Sequence, residues 1–180
     1  AVEWLESIGA PLPKVSFSGG ASVSRIHAPE DGSGVGNYLV AAFDKQIKEL
    51  DIPVFMNTEA TEIVMTDGAA TGVKVSRADG EHTINAKAVV LATGGFGANE
   101  ALYTKYREDL KGFVTTNTPG ATGDGIVMAE AIGANLVDIE QIQIHPTVEQ
   151  TTSIMVTEGV RGDGAILVNQ EGKRFINEME

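Results

Sequence analysis

The chain has no cysteine, which excludes thiolate nucleophiles, iron–sulfur ligation and cysteine-ligated zinc, and leaves the redox compartment unread. Basic residues are scarce as well. Thirteen Lys and Arg stand against 25 Asp and Glu, for a formal charge of −12 and a pI near 4.6. No basic cluster exceeds two neighbours, so the footprint that grips a phosphate backbone is missing and nucleic acid is excluded as a partner. Long apolar runs are absent too. The longest strongly apolar stretch, AVVLA at 88–92, is far short of the roughly 20 residues of a spanning helix. No charged-then-apolar leader opens the chain, and its localisation stays open. The first residue is Ala, and the closing FINEME has no stop or tail character. The chain is therefore expected to be a piece of a longer protein.

Glycine is plentiful instead: 21 of 180 residues, where about 7% is usual. The glycines cluster in SGGAS, DGSGVG, ATGGFG, PGATGDG and VRGDG, the pattern of tight turns and close backbone approaches. With 42% hydrophobic residues the chain can bury a core as one or two domains. No repeat or low-complexity tract is visible.

Residues 36–50 put Leu39, Val40, Phe43, Ile47 and Leu50 on one helical face, the spacing of an amphipathic helix. IPVFMN then predicts a strand. EIVM, GVKVSR and HTINA, separated by Asp67-Gly68 and Asp79-Gly80, predict an antiparallel meander. AKAVVLATGG predicts a strand buried on both faces of a parallel sheet. Residues 125–134 predict a helix entered through TGDG, and AILVNQEGKRF a hairpin with Glu171-Gly172 at its tip, GAILV being buried strand. The order is α/β with a small β insertion, and a domain boundary is expected near residue 139.

Chemistry has four places to sit. The run ending at Thr93-Gly94-Gly95 has the form of a strand whose carboxyl end admits a planar or phosphorylated ligand, and equally of a tight strand exit. Gly123, Asp124 and Gly125 open a helix, where free amides attract anions and Asp accepts from a ribose or ribityl hydroxyl; a plain helix cap is the commoner meaning. His145 precedes Pro146, which forces extended backbone and fixes its direction, into a cleft or into the core. Thr157, Glu158 and Arg161 place a hydroxyl, a carboxylate and a guanidinium within five positions. Such a Glu–Arg pair is either a surface ion pair or, if buried, a proton or anion site. Arg161-Gly162-Asp163 also matches an adhesion tripeptide, too short a match to weigh. Arg25 and His27 form a further polar pair beside glycines.

Together, GGASVSRIHAP, GSGVG, AVVLATGGFG, NTPGATGDG, IQIHPT and VTEGVRGDGAILVNQEGKRFINE resemble, in order and along nearly the whole chain, the flavoprotein subunits of fumarate reductases. The soluble flavocytochrome c type is closest. Succinate dehydrogenase flavoprotein, L-aspartate oxidase and urocanate reductase are relatives. The resemblance implies a partial FAD-binding domain of the glutathione-reductase-like α/β class over 1–139, with a β-meander insertion, and the start of an α+β capping domain over 140–180. It implies FAD contacts at Ala60, Thr93, Gly94, Gly95, Gly123, Asp124 and Gly125. His145, Thr157 and Glu158 would hold a substrate carboxylate, and Glu158 with Arg161 a proton relay. Ser18 stands where relatives carry a larger apolar residue. The family's GxGxxG fingerprint is expected upstream of residue 1, and its proton-donating arginine just after FINEME, so the isolated chain is expected to be inactive. Fumarate is the favoured substrate, with urocanate, cinnamate or acrylate as other unsaturated acids and a flavin electron-transfer module as the reading of a different class. The electron donor is unidentified, a haem or flavin domain being compatible with the resemblance.

Overall fold

The computed structural model describes residues 1–17 and 21–178; Ser18 lies outside them. Helices and antiparallel sheets are mixed along the chain, which divides into two compact units, residues 1–54 with 156–180 and residues 55–155.

In the first unit, helix α1 (Val2–Ser7) leads into strands β1 (Lys14–Ser16) and β2 (Ile26–Ala28), paired antiparallel with Val15 opposite His27. His27 donates from Nδ1 to the Leu12 carbonyl at 3.1 Å, and Arg25 donates to Ser22 Oγ at 2.9 Å; both residues serve this local fold. Helix α2 (Val35–Glu49) follows the predicted amphipathic spacing. Trp4 stacks on its Phe43 with ring centroids 6.0 Å apart, and Tyr38 donates to the Pro11 carbonyl at 3.1 Å. Its apolar face is only partly covered, since α2 contains no buried residue. Helix α5 (Glu158–Gly162) and a turn closed by the Val168–Arg174 bridge complete the unit. The hairpin tip is at Gly172, as its φ of 75° and the hydrogen bond its N–H donates to the Asn169 carbonyl show. GAILV, in contrast, is not a buried strand: Ile166 and Val168 are exposed, and among the described residues a single bridge is all the pairing it has.

The second unit is built on the meander β3 (Glu59–Thr66), β4 (Ala69–Arg77) and β5 (Gly80–Asn85), in that spatial order. Asp67 and Gly68 have φ of 49° and 79°, the doubly positive geometry that an Asp-Gly hairpin turn demands. Register follows: Ile63 faces Val73, and Glu62 faces Lys74, whose ammonium meets the carboxylate at 2.7 Å. Ile63 and Val75 are buried, and helix α4 (Asp124–Ala131) packs against β3. Helix α3 (Glu100–Tyr106) is capped by Asn99 and buries Leu102 and Tyr103.

Two predicted strands do not form. Residues 52–57 and 86–95 are without strand structure, with Met56 75% and Val90 87% exposed. Apolar, β-branched composition favours extended backbone, but a strand exists only through a ladder. Among the described residues no strand lies beside either run. No helix among them is long and apolar enough to cross a membrane.

Candidate functional site

The exit of the 86–95 run is locked to the start of α4 by close approach. Gly125 is buried, and a Cβ there would collide with the side chain of Thr93. Gly123 is the N-cap of α4 at φ 83°, and a Cβ on it would stand 2.7 Å from Phe96 Cβ. Hydrogen bonds zip the same two segments: Ala98 N–H donates to the Ala121 carbonyl at 2.9 Å, and Asn99 Nδ2 to the Thr122 carbonyl at 2.9 Å. Asn99 Oδ1 meanwhile accepts from the Leu102 amide at 3.1 Å. One asparagine thus caps α3 and ties down the loop before α4. Asp124, the first helical residue, accepts from Thr122 Oγ1 at 2.9 Å. Ala60 sits on β3, the strand against which α4 packs.

Beside this junction lies a cavity of about 800 Å³, lined among others by Gly95, Gly97, Asn117, Gln143 and His145. A Cβ on Gly95 would meet nothing within 4 Å, and Gly94, at φ 77°, is equally open. The backbone there faces open space. Gly97 is different, because the side chain of Asn117 occupies the position its Cβ would take. Asn117 is itself held by Thr115 Oγ1, which accepts from its Nδ2 at 3.0 Å. The cavity's volume falls within the roughly 300–1,000 Å³ of small-molecule sites.

His145 enters this cavity from an extended segment ending at Pro146. Its Nδ1 accepts from the Thr147 amide at 3.3 Å, so a neutral ring carries its proton on Nε2, which is buried and serves as a donor. The chain then turns through a hairpin closed by the Val148–Met155 bridge. Glu149 organises that turn, accepting from Thr152 Oγ1 at 2.6 Å and from the Thr151 and Thr152 amides at 3.0 and 2.6 Å. Those bonds, the threonine hydroxyl first, lower its carboxyl to about 2.

Thr157 is the N-cap residue of α5, which carries Glu158 in its first turn and Arg161 in its last. Glu158 and Arg161 are half-buried and Asp163 is exposed. Arg161 Nη1 donates to the Glu178 carbonyl at 3.1 Å, so the adhesion-like tripeptide is the end of a helix with its arginine engaged, not a loop tip. Sequence reasoning missed Asn99, Asn117, Glu149 and Glu178. Only Asn99 has a local signal, an Asn just before an amphipathic run.

Of the expected cofactor residues, the structure brings Thr93 onto Gly125 and sets Gly95 into the same cavity as His145. Thr157, Glu158 and Arg161 belong to the other unit. Among the described residues no three His, Asp or Glu side chains converge as metal ligands do.

Comparison with known proteins agrees with this geometry. The family model described as FAD binding domain matches residues 1–180. The chain is 50% identical over 181 residues to the NADH:fumarate oxidoreductase of Klebsiella pneumoniae, covering 100% of this chain and 20% of that protein. It is 42% identical over 189 residues to the urocanate reductase of Eggerthella lenta, covering 100% of this chain and 31% of that protein. Among solved structures, the open conformation of a flavocytochrome c3 fumarate reductase superposes with a TM-score of 0.84 at 41% identity, over 99% of this chain and 32% of that one. The chain thus spans between a fifth and a third of the length of these relatives. It belongs to the FAD binding domain family, with FAD as its cofactor, and is similar in sequence to fumarate reductase flavoproteins.

Proposed function

We propose that this chain is part of an FAD-dependent reductase that saturates the carbon–carbon double bond of an enoate, fumarate first among the candidates. Residues 1–139 would be the later part of its FAD-binding domain and 140–180 the beginning of the domain that caps the substrate. The observation that carries the reading is the cavity shared by His145 and the glycine backbone at 95–97. A flat ring system needs backbone without Cβ atoms, and a carboxylate beside it needs a donor.

The residues present suit FAD. Gly94 and Gly95 face open space, the Thr93–Gly125 contact holds the loop against α4, and the α4 N-terminus offers its free amides to an anionic group. Ala60, Gly123 and Asp124 would complete the cofactor contacts. Bound and reduced, the flavin supplies a hydride equivalent; the remaining work falls to side chains. Hydride addition at one olefinic carbon builds negative charge across the neighbouring carbon and its carboxylate, and donors aimed at that carboxylate stabilise the charge as it develops. His145 would donate from Nε2 to that carboxylate, and Thr157 and Glu158 are the further substrate-binding residues of this reading. In a chain of charge −12 any positive charge offered to the substrate has to be local, and Arg161 is the proposed contributor. Glu158 and Arg161 relay the proton that the neighbouring carbon requires.

The 42% identity to a urocanate reductase favours a second reading within the same chemistry, in which these residues grip the carboxylate that all enoates share. Substrate choice is then made elsewhere in the protein. The 180 residues alone are expected to turn over no enoate, and the electron donor is unidentified, a fused or separate haem or flavin domain being compatible with this reading.

The test is replacement of His145 or Glu158 by Ala in the full-length flavoprotein. Oxidation of a reduced viologen by fumarate should fall with flavin content unchanged. Wild-type rates in both variants would remove these residues from the site.

A further inference from the structure

The chain beyond α5 folds back onto that helix through one acidic residue. Glu178 is 5% exposed. Its Oε2 accepts from Arg174 Nε and Nη2 at 3.0 and 2.5 Å, and its Oε1 from the Leu167 amide at 2.6 Å. Its main-chain carbonyl takes Arg161 Nη1 at 3.1 Å. One residue therefore holds two arginines by two different groups. Arg174, whose side chain is 51% exposed, neutralises the carboxylate through Nε and Nη2, both on Oε2, with Nε also 3.3 Å from Oε1. Arg161 is steered by the carbonyl alone: among the described residues its guanidinium has no other hydrogen-bond acceptor, and its Nε is buried without one.

A guanidinium that must pass a proton along a fixed line depends on whatever sets its direction. We propose that Glu178 is a positioning residue for the proton relay at Arg161: its carboxylate, clasped by Arg174 and the Leu167 amide, fixes the carbonyl that aims the guanidinium. The inference rests on the relay role given to Arg161 above. The same clasp, Arg174 first and then the Leu167 amide, holds the Glu178 carboxyl at about 2, so the contact stays ionised throughout the neutral range.

Glu178→Gln keeps the shape and an acceptor for Leu167 but removes the charge that holds Arg174. In the full-length flavoprotein it should lower kcat for the enoate by about tenfold or more, the lower part of what a positioned proton donor contributes, with KM nearly unchanged. It should also displace the kcat–pH profile, and Glu178→Asp should recover part of the rate. Combined with Arg161→Lys, Glu178→Gln should add little, as expected of two residues acting in one step. Glu171→Gln, at the exposed hairpin tip, is the control and should be silent. If Glu178→Gln loses its flavin, Arg174→Gln loosens the clasp from its exposed side and should give the same kcat loss.

A Glu178→Gln enzyme with wild-type kcat and pH profile and only a lower melting temperature would overturn the proposal, as would full additivity with Arg161→Lys. If Arg161→Lys itself turns over at the wild-type rate, the relay role fails and this proposal with it. If Arg161→Lys is slow and Glu178→Gln is not, only the positioning role is lost.

Discussion

Replacing Gly123 by Ala tests the junction on which the cofactor site is built. Gly123 is buried at φ 83°, and an added Cβ meets Leu102 Cδ2 at 2.5 Å and Phe96 Cβ at 2.7 Å. The leucine methyl can swing away, but a Cβ atom is fixed to its backbone, so the segment after Gly95 has to shift. Left-handed backbone costs an L-residue about 1–2 kcal/mol, and overpacking a tight site costs about 1–3 kcal/mol. The two act together, so Gly123→Ala should lose about 2–5 kcal/mol. Gly133 carries the first contribution alone, because it has nearly the same φ, 81°, with nothing within 4 Å of its would-be Cβ. Gly133→Ala should lose only about 1–2 kcal/mol. The assay is urea unfolding of the full-length flavoprotein, followed by circular dichroism and by flavin release. Equal losses in the two variants would refute the packing argument and, with it, the claim that α4 is seated by contact with the glycine-rich loop.

Other consequences are measurable in the same protein. Asn99→Ala removes the α3 cap and the tie to the Thr122 carbonyl, and should destabilise by about 1–2 kcal/mol in urea unfolding. Gly95→Val fills the open face of the cavity-lining glycine and should lower bound flavin, read from absorbance after gel filtration, more than it lowers the melting temperature. Glu149 and Glu178 sit at about 2 when folded against 4.5 for a free glutamate. A lowered folded value stabilises in full above the unfolded value and is lost as pH falls toward the folded one. Melting temperature should therefore drop between pH 4.5 and pH 2, and Glu149→Gln or Glu178→Gln should flatten that limb.

What was legible in the sequence is what short-range chemistry decides. Asp67-Gly68 fixes the first turn of the meander because its backbone angles admit few alternatives, whereas the second turn is centred on residues 78–79, with Gly80 already opposite Arg77 in β5. The spacing of Leu39, Phe43 and Ile47 makes α2 a helix before any packing is considered. The runs at 52–57 and 86–95 failed as strands for the opposite reason: pairing is non-local, and composition does not say which strand lies alongside. The site divides in the same way. His145 before Pro146 and the glycines at 94–95 were readable, each with a bland alternative, and only the fold puts Gly95 and His145 on one cavity. Thr93 against Gly125 is a contact across 32 positions that no local pattern announces. Glu178 was unreadable because its charge is spent on Arg174 while its carbonyl, a group every residue has, serves Arg161.

The most direct measurement is the rate at which the full-length flavoprotein, loaded with FAD, oxidises a reduced viologen anaerobically in the presence of fumarate, urocanate, cinnamate or acrylate. Turnover on at least one of these acids, fumarate foremost, is expected, as is its loss in His145→Ala without loss of flavin. Flavin reduction and reoxidation with no turnover on any of the four would contradict it, and would make the protein an electron carrier whose cavity holds no enoate.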